Sequence, residues 1–136
     1  LSGADSDAED CERWRRSAEA IFSKELVNRI DEVVVFNRLT YDDILTIARR
    51  EVVSLVSRAA RRDVELRVAD EAVKHIAANS VDARYGAREL RRSVVAMLEQ
   101  PLSELIVSGT TGHGVIVVAE IVGDEVELRV ERAKVA

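Results

Sequence analysis

The sequence predicts an α+β chain, and three observations carry that prediction. A stretch opening at Thr40 repeats apolar residues at helical spacing. Val64–Val68 alternates apolar and polar residues, as a half-buried strand does. Val115–Val122 and Glu125–Val130 are two further strand-like runs, joined at Gly123-Asp124 in a hairpin turn. At 136 residues the chain suits one domain or a piece of a larger one, and it begins at Leu1 and not at Met, which reads as an excised fragment.

Composition narrows the function. Hydrophobic residues make up 47% of the chain and aromatics only 4%, so the core has to come from Val, Leu, Ile and Ala. The formal net charge is −5 despite 20 Lys and Arg, which argues against a general nucleic-acid binder. Cys11 is the one cysteine of the chain, so an internal disulfide cannot form, which points to a reducing compartment. No apolar run approaches the roughly 20 residues of a membrane span, and no signal peptide is visible.

In chain order, residues 1–11 are small and acidic and read as a flexible lead-in. From Glu12 to Phe22 the residues Trp14, Ala18, Ile21 and Phe22 recur at helical spacing, with Trp14 taken as a packing residue. Val33–Phe36 is a short β-branched and aromatic run, expected to be a strand buried on both faces. Such a strand needs a sheet to join. Asn28-Arg29 lies just before it.

Thr40 is a good N-cap, and Asp43 stands where a capping box places its acid. Ile44, Ile47, Ala48, Val52, Leu55, Val56 and Ala59 then form one apolar stripe. Arg58, Arg61 and Arg62 near the helix end suit its dipole, a simpler reading than a nucleic-acid patch. Asp63 closes the helix. Asp70 is expected to cap a short helix carrying Val73, Ile76 and Ala77, and His75 has no metal-spaced partner. After a loop ending at Gly86, Leu90, Val94, Met97, Leu98, Leu102 and Leu105 share one helix face, which Pro101 is expected to kink or split near Gln100. Residues 108–114 read as a loop.

The organising stretch is Tyr85-Gly86-Ala87-Arg88-Glu89-Leu90-Arg91-Arg92. A glycine ends one element, a helix starts at once, and Arg88 sits in its first turn. Helix N-termini present N–H groups and the positive end of the dipole, and both favour phosphate. Arg88 would add a bidentate donor. On these residues alone, a solvated surface arginine is the simpler reading.

Other chemistry is thin. Val117–Glu125 imitates an apolar strand ending in two acids, but the glycine before the acids and the strand after them favour a turn. No Gly-x-x-x-x-Gly-Lys-Ser/Thr occurs, so the chain lacks the cradle and lysine that ATP hydrolysis needs. No nucleophile triad or metal set is evident, and the chain is not expected to be an enzyme by itself.

The stretch Phe22-Ser23-Lys24-Glu25-Leu26-Val27-Asn28-Arg29-Ile30-Asp31-Glu32-Val33-Val34-Val35-Phe36 resembles the Phe-x-Pro-Glu-Phe-x-Asn-Arg-Ile-Asp-Glu-x-Val-Val-Phe signature of Clp-type AAA+ chaperones. Tyr85-Gly86-Ala87-Arg88 with Leu90-Arg91-Arg92 resembles the sensor-2 motif of that family. Glu99-Gln100-Pro101-Leu102, Leu105-Ile106 and Ser108-Gly109 are similar to its last helix. Lys24 replaces the family proline, and Ser80-Val81-Asp82 replaces a Gly-Tyr-Asp. The match runs over roughly residues 12–131 and is most similar to the end of the second ATPase module of the ClpB-type disaggregases.

The resemblance implies an architecture. Residues 12–39 would end the large AAA+ subdomain, and residues 40–136 would form the small lid subdomain, with helices packed on a three-stranded sheet. It also implies roles. Arg29 would be an arginine finger acting on a neighbouring subunit. Arg88 would be the sensor-2 arginine for ATP, supported by Gly86 and Ala87. ATP with Mg would be held mainly by a large subdomain outside this chain. The parent would be a homo-hexameric ATPase acting on misfolded or aggregated protein with an Hsp70-type co-chaperone, in the cytoplasm or an organelle matrix, without nucleic-acid or membrane partners. A Clp unfoldase feeding a peptidase and a non-enzymatic arginine-rich interaction module are the alternatives.

Overall fold

The computed structural model describes residues 3–32, 34–36, 38–81 and 86–133. The chain divides into two units between Arg38 and Leu39.

The first unit holds helix α1 (Gly3–Ile21) and the four-residue helix α2 (Lys24–Val27). Helix α1 takes in most of the expected lead-in, starting at Gly3 and not at Glu12. Arg13–Asp10, Arg15–Glu19 and Arg16–Glu12 pairs at one-turn spacing decorate its surface. Ser23 caps α2 by accepting the Leu26 N–H. The expected strand at Val33–Phe36 does not form. Val33 lies outside the described residues, while Val34 is 62% and Phe36 91% exposed in irregular backbone. A strand needs a hydrogen-bonded neighbour, and the one sheet described belongs to the other unit. Trp14, expected to pack, is 60% exposed, and no described side chain of this unit is fully buried.

The second unit is α+β, as its patterning requires. Helix α3 (Tyr41–Ala60) opens on a complete capping box. Thr40 Oγ1 accepts the Asp43 N–H at 3.2 Å, and Asp43 Oδ2 accepts the Thr40 N–H at 2.8 Å. The helix closes where Asp63 adopts φ 57°. There the Asp63 N–H donates to the Ala60 carbonyl and the Val64 N–H to that of Ala59, the paired bonds of a Schellman close. The stripe of Ile44, Ala48, Val52, Leu55 and Ala59 is buried, as its spacing predicts.

Strand β1 (Glu65–Val68) leads into α4 (Asp70–Val81), then α5 (Ala87–Val94), a π turn (Val95–Glu99) and α6 (Gln100–Val107). Strands β2 (Val115–Val122) and β3 (Glu125–Arg132) complete the unit in sheet order β1-β2-β3. The helical crossover lets β1 run parallel to β2, with Leu66 opposite Val117 and Val68 opposite Ala119. The β2–β3 pair is an antiparallel hairpin with Val122 opposite Glu125. Its two-residue turn has Gly123 at φ 64°, so Asp124 belongs to the turn and Glu125 opens β3, and neither sits at a catalytic strand end.

Pro101 bends the hydrogen-bond pattern without splitting the helix. A proline ring would strike the carbonyl four residues back in an ordinary α-helix. Here the preceding turn is widened, and the Gln100 N–H reaches the Val95 carbonyl. The helix therefore continues from Ala87 to Val107.

Asp70 starts α4 but its side chain does not cap it. The Ala72 and Val73 N–H groups bond the Ala69 carbonyl, and the Asp70 carboxylate instead takes Lys74 at 3.0 Å and Arg49 at 3.3 Å. Hydrogen bonds from Lys74 and then Arg49 hold Asp70 below the usual 3.8. Asp43 is lowered too, first by the Thr40 backbone N–H and then by its hydroxyl. A depressed folded pKa means that the unfolded chain binds more protons in acid. The stability is thus complete above the ordinary carboxylate value and is lost as pH falls through the folded one. Denaturant unfolding of the chain should show a falling midpoint below about pH 4, and Asp70→Asn should reduce that fall. A wild-type midpoint flat through this range would count against both contacts.

Candidate functional site

The core fixes where the organising stretch sits. Leu90 and Val94 of α5 are 0% and 3% exposed, packed in one cluster with Ile44, Ala48 and Leu98. Burying them turns Arg88, Arg91 and Arg92 outward, and all three are exposed. Glu89, half-buried, pairs with Arg92 at 3.7 Å. The structure gives Arg88 no ion pair among the described residues, and it is the second residue of the helix.

Gly86 makes that opening. Its φ of 38° with ψ of −100° is a conformation that only glycine takes without strain. A Cβ there would also come within 3.4 Å of Leu39 Cδ1 and 3.8 Å of Ile44 Cδ1. Both are ordinary packing distances, so it is the positive φ, and not the missing Cβ, that calls for glycine at the start of α5. Its carbonyl accepts the Leu90 N–H at 3.0 Å, and it brings no side-chain oxygen to the N–H groups of the first turn. Ala87 follows as a small exposed residue. Tyr85 of the same motif lies outside the described residues.

Arg29 belongs to the first unit. It is exposed in the turn after α2, where its N–H donates to the Leu26 carbonyl at 3.0 Å. Asn28 precedes it as the C-cap of that helix. The structure thus groups Gly86, Ala87 and Arg88 at one helix start and carries Arg29 on the other unit.

Residues 39–119 match the family described as the C-terminal, D2-small domain of ClpB protein. The chain belongs to this family. The match takes in the capped helix, the crossover helices with Gly86–Arg88, strand β1 and the first part of β2. Two relatives extend it. The chaperone protein ClpB of Pseudomonas putida is 38% identical over 107 residues, which cover 79% of this chain and 12% of that protein. The ATP-dependent Clp protease ATP-binding subunit ClpC of Staphylococcus aureus is 33% identical over 127 residues, covering 90% of this chain and 16% of that protein. The chain therefore spans less than a fifth of the length of either relative. As a D2-small domain of the Clp-type AAA+ chaperones it has the expected α+β fold.

Sequence reasoning found the motif but missed what holds it. The close approach of Gly86 to Leu39 and Ile44 is a contact between residues far apart in the chain. Its only local signal is the glycine itself. Further along, His75 Nε2 lies 3.0 Å from Asn79 Nδ2, and no group of three or more metal-ligating side chains occurs among the described residues. No helix among them is long and apolar enough to cross a membrane.

Gly86→Ala should destabilise the second unit by roughly 1–3 kcal/mol, through backbone strain at positive φ. Denaturant melts of the two chains would measure it; an unchanged midpoint would remove Gly86 as the device that seats α5.

Proposed function

We propose that the chain is the lid portion of an ATP-driven, ring-forming chaperone that disaggregates protein, and that Arg88 is its sensor-2 arginine. The observation that carries this reading is Arg88 itself. It is an exposed guanidinium in the first turn of a glycine-opened helix, inside the stretch that matches the D2-small family. A guanidinium stays charged and offers two parallel donors to a phosphate. The chain has no phosphate loop of its own, so it would read a nucleotide held elsewhere in the parent. ATP, with Mg, would supply the phosphoryl group at that divided site. Arg88 would grip its charge, and Leu90 and Val94 would pass the pull into the lid core. A lid that moves as one packed body is a two-state element that nucleotide can bias. Arg29 would reach a neighbour's nucleotide as an arginine finger, which the exposed turn after α2 permits. Hexamers, aggregated substrates and an Hsp70-type co-chaperone follow from the same reading.

A peptidase-coupled unfoldase is the second reading, favoured by the ClpC relative that matches nine-tenths of this chain. The two readings share the lid chemistry and differ in where the unfolded substrate goes.

The test is a graft of residues 12–133 into the Pseudomonas putida ClpB in place of the matching segment. Arg88→Ala should lower ATP-driven disaggregation about 10- to 100-fold, the value of one charge-assisted phosphate contact. Unchanged ATPase and disaggregation rates would end the sensor assignment. Arg29→Ala should inactivate uniform rings and regain part of the activity in rings mixed with the unsubstituted protein, because a finger acts on the next subunit's site. Equal loss in pure and mixed rings would speak against it.

A further inference from the structure

The C-terminal half of α3 and helix α6 enclose a groove of about 450 Å³, far along both helices from the Gly86–Arg88 turn. Leu55, Ala59 and Leu102 form its apolar floor, each 3% exposed, and Ile106 extends it at the rim. Arg58, Arg61 and Arg62 line one wall, and Glu99 and Ser103 line the other. Arg58 is tied to Glu99 at 3.2 Å. Ser103 Oγ is turned to the Glu99 carbonyl at 2.8 Å. Three guanidinium groups therefore face one carboxylate, on a chain whose net charge is −5. Arg61 and Arg62 are exposed and have no ion pair among the described residues.

The helix dipole accounts for a basic residue at the end of α3, but not for an apolar hollow beside three of them. From this combination we infer that the groove is a docking site for an acidic peptide segment of a partner protein. One or two apolar side chains of the segment seat on Leu55, Ala59, Leu102 and Ile106, and its carboxylates meet Arg61 and Arg62. The volume admits anchors and not a whole helix, so the contact is small and transient. Charge complementarity selects the partner: a basic segment is repelled, and an acidic one without anchors leaves the floor wet. This inference is independent of nucleotide sensing by Arg88.

The test uses the full chain, ¹⁵N-labelled, with a glutamate-rich peptide of about 12 residues carrying two leucines four apart. Amide shifts should change at Leu102, Ser103 and Ile106. Fluorescence anisotropy of the labelled peptide should show binding that weakens as salt rises. Arg61→Glu with Arg62→Glu should weaken it at least about tenfold, two attractions having become repulsions. Arg50→Glu with Arg132→Glu changes net charge equally, away from the groove, and should leave affinity within about twofold. Thermal melts of both double variants check that they remain folded. The inference is overturned by absence of binding, by equal loss in the two double variants, by equal binding of a leucine-free polyglutamate, or by tighter binding of a single-stranded oligothymidine of about 15 nucleotides.

Discussion

Everything in the second unit depends on burying the apolar stripe of α3 without aromatic bulk. Ile44, Leu55, Ile76, Leu90, Leu98 and Val117 supply the volume. Ala48, Ala72, Ala77 and Ala119, all fully buried, supply close approach. Cores of this kind are specified by methyl-scale fit, because a small side chain lets two elements touch where a larger one would hold them apart. The helices α4 and α5 and the sheet are each placed by this one surface. The outer face of the sheet is organised differently. Ile116 and Val118 lie among Glu65, Arg67, Glu120, Arg129 and Glu131, whose pairs are half-exposed and carry little energy.

The exposed arginines owe their places to residues that never touch solvent. Arg88 faces out because Leu90 and Val94 face in, and it stands in the first turn of a helix that the positive φ of Gly86 opens. Arg61 and Arg62 stand at the groove because Asp63 turns the chain sharply after α3. In each case a backbone constraint next to a buried anchor aims a charged group, and the charge itself stabilises little.

What could be read from the sequence was local or periodic. The capping box of Thr40 and Asp43, the stripe of α3, the Gly123-Asp124 hairpin and the helix after Gly86 all follow from spacing within a few residues. The motif at Arg88 was legible for the same reason, as contiguous residues. The parallel pairing of β1 with β2 was not, because it joins residues some fifty positions apart, and no local pattern states a register. Val33–Phe36 shows the converse failure: its composition says strand, and strand is a property of a pair. Asp70 resembled a cap because of its position, but its carboxylate bonds Lys74 and Arg49. Arg58, Arg61 and Arg62 read as partners of a dipole because the hollow beside them requires α6, forty residues later.

The π turn before Pro101 explains a spacing that an α-helix cannot sustain. Leu90, Val94, Leu98 and Leu102 are all buried at intervals of four. Each such step overshoots a full turn of α-helix by about 40°, so three steps would carry Leu102 about 120° off the core face. A turn that takes in an extra residue returns that drift. Counted with one residue of 95–99 left out, the buried positions fall at i, i+4, i+7 and i+11, the ordinary amphipathic stripe. The helix therefore carries one supernumerary residue, stored as a bulge. Residues 95–99 are then the place in this helix where the chain can shorten by one and still present Leu102 and Ile106 to the same neighbours.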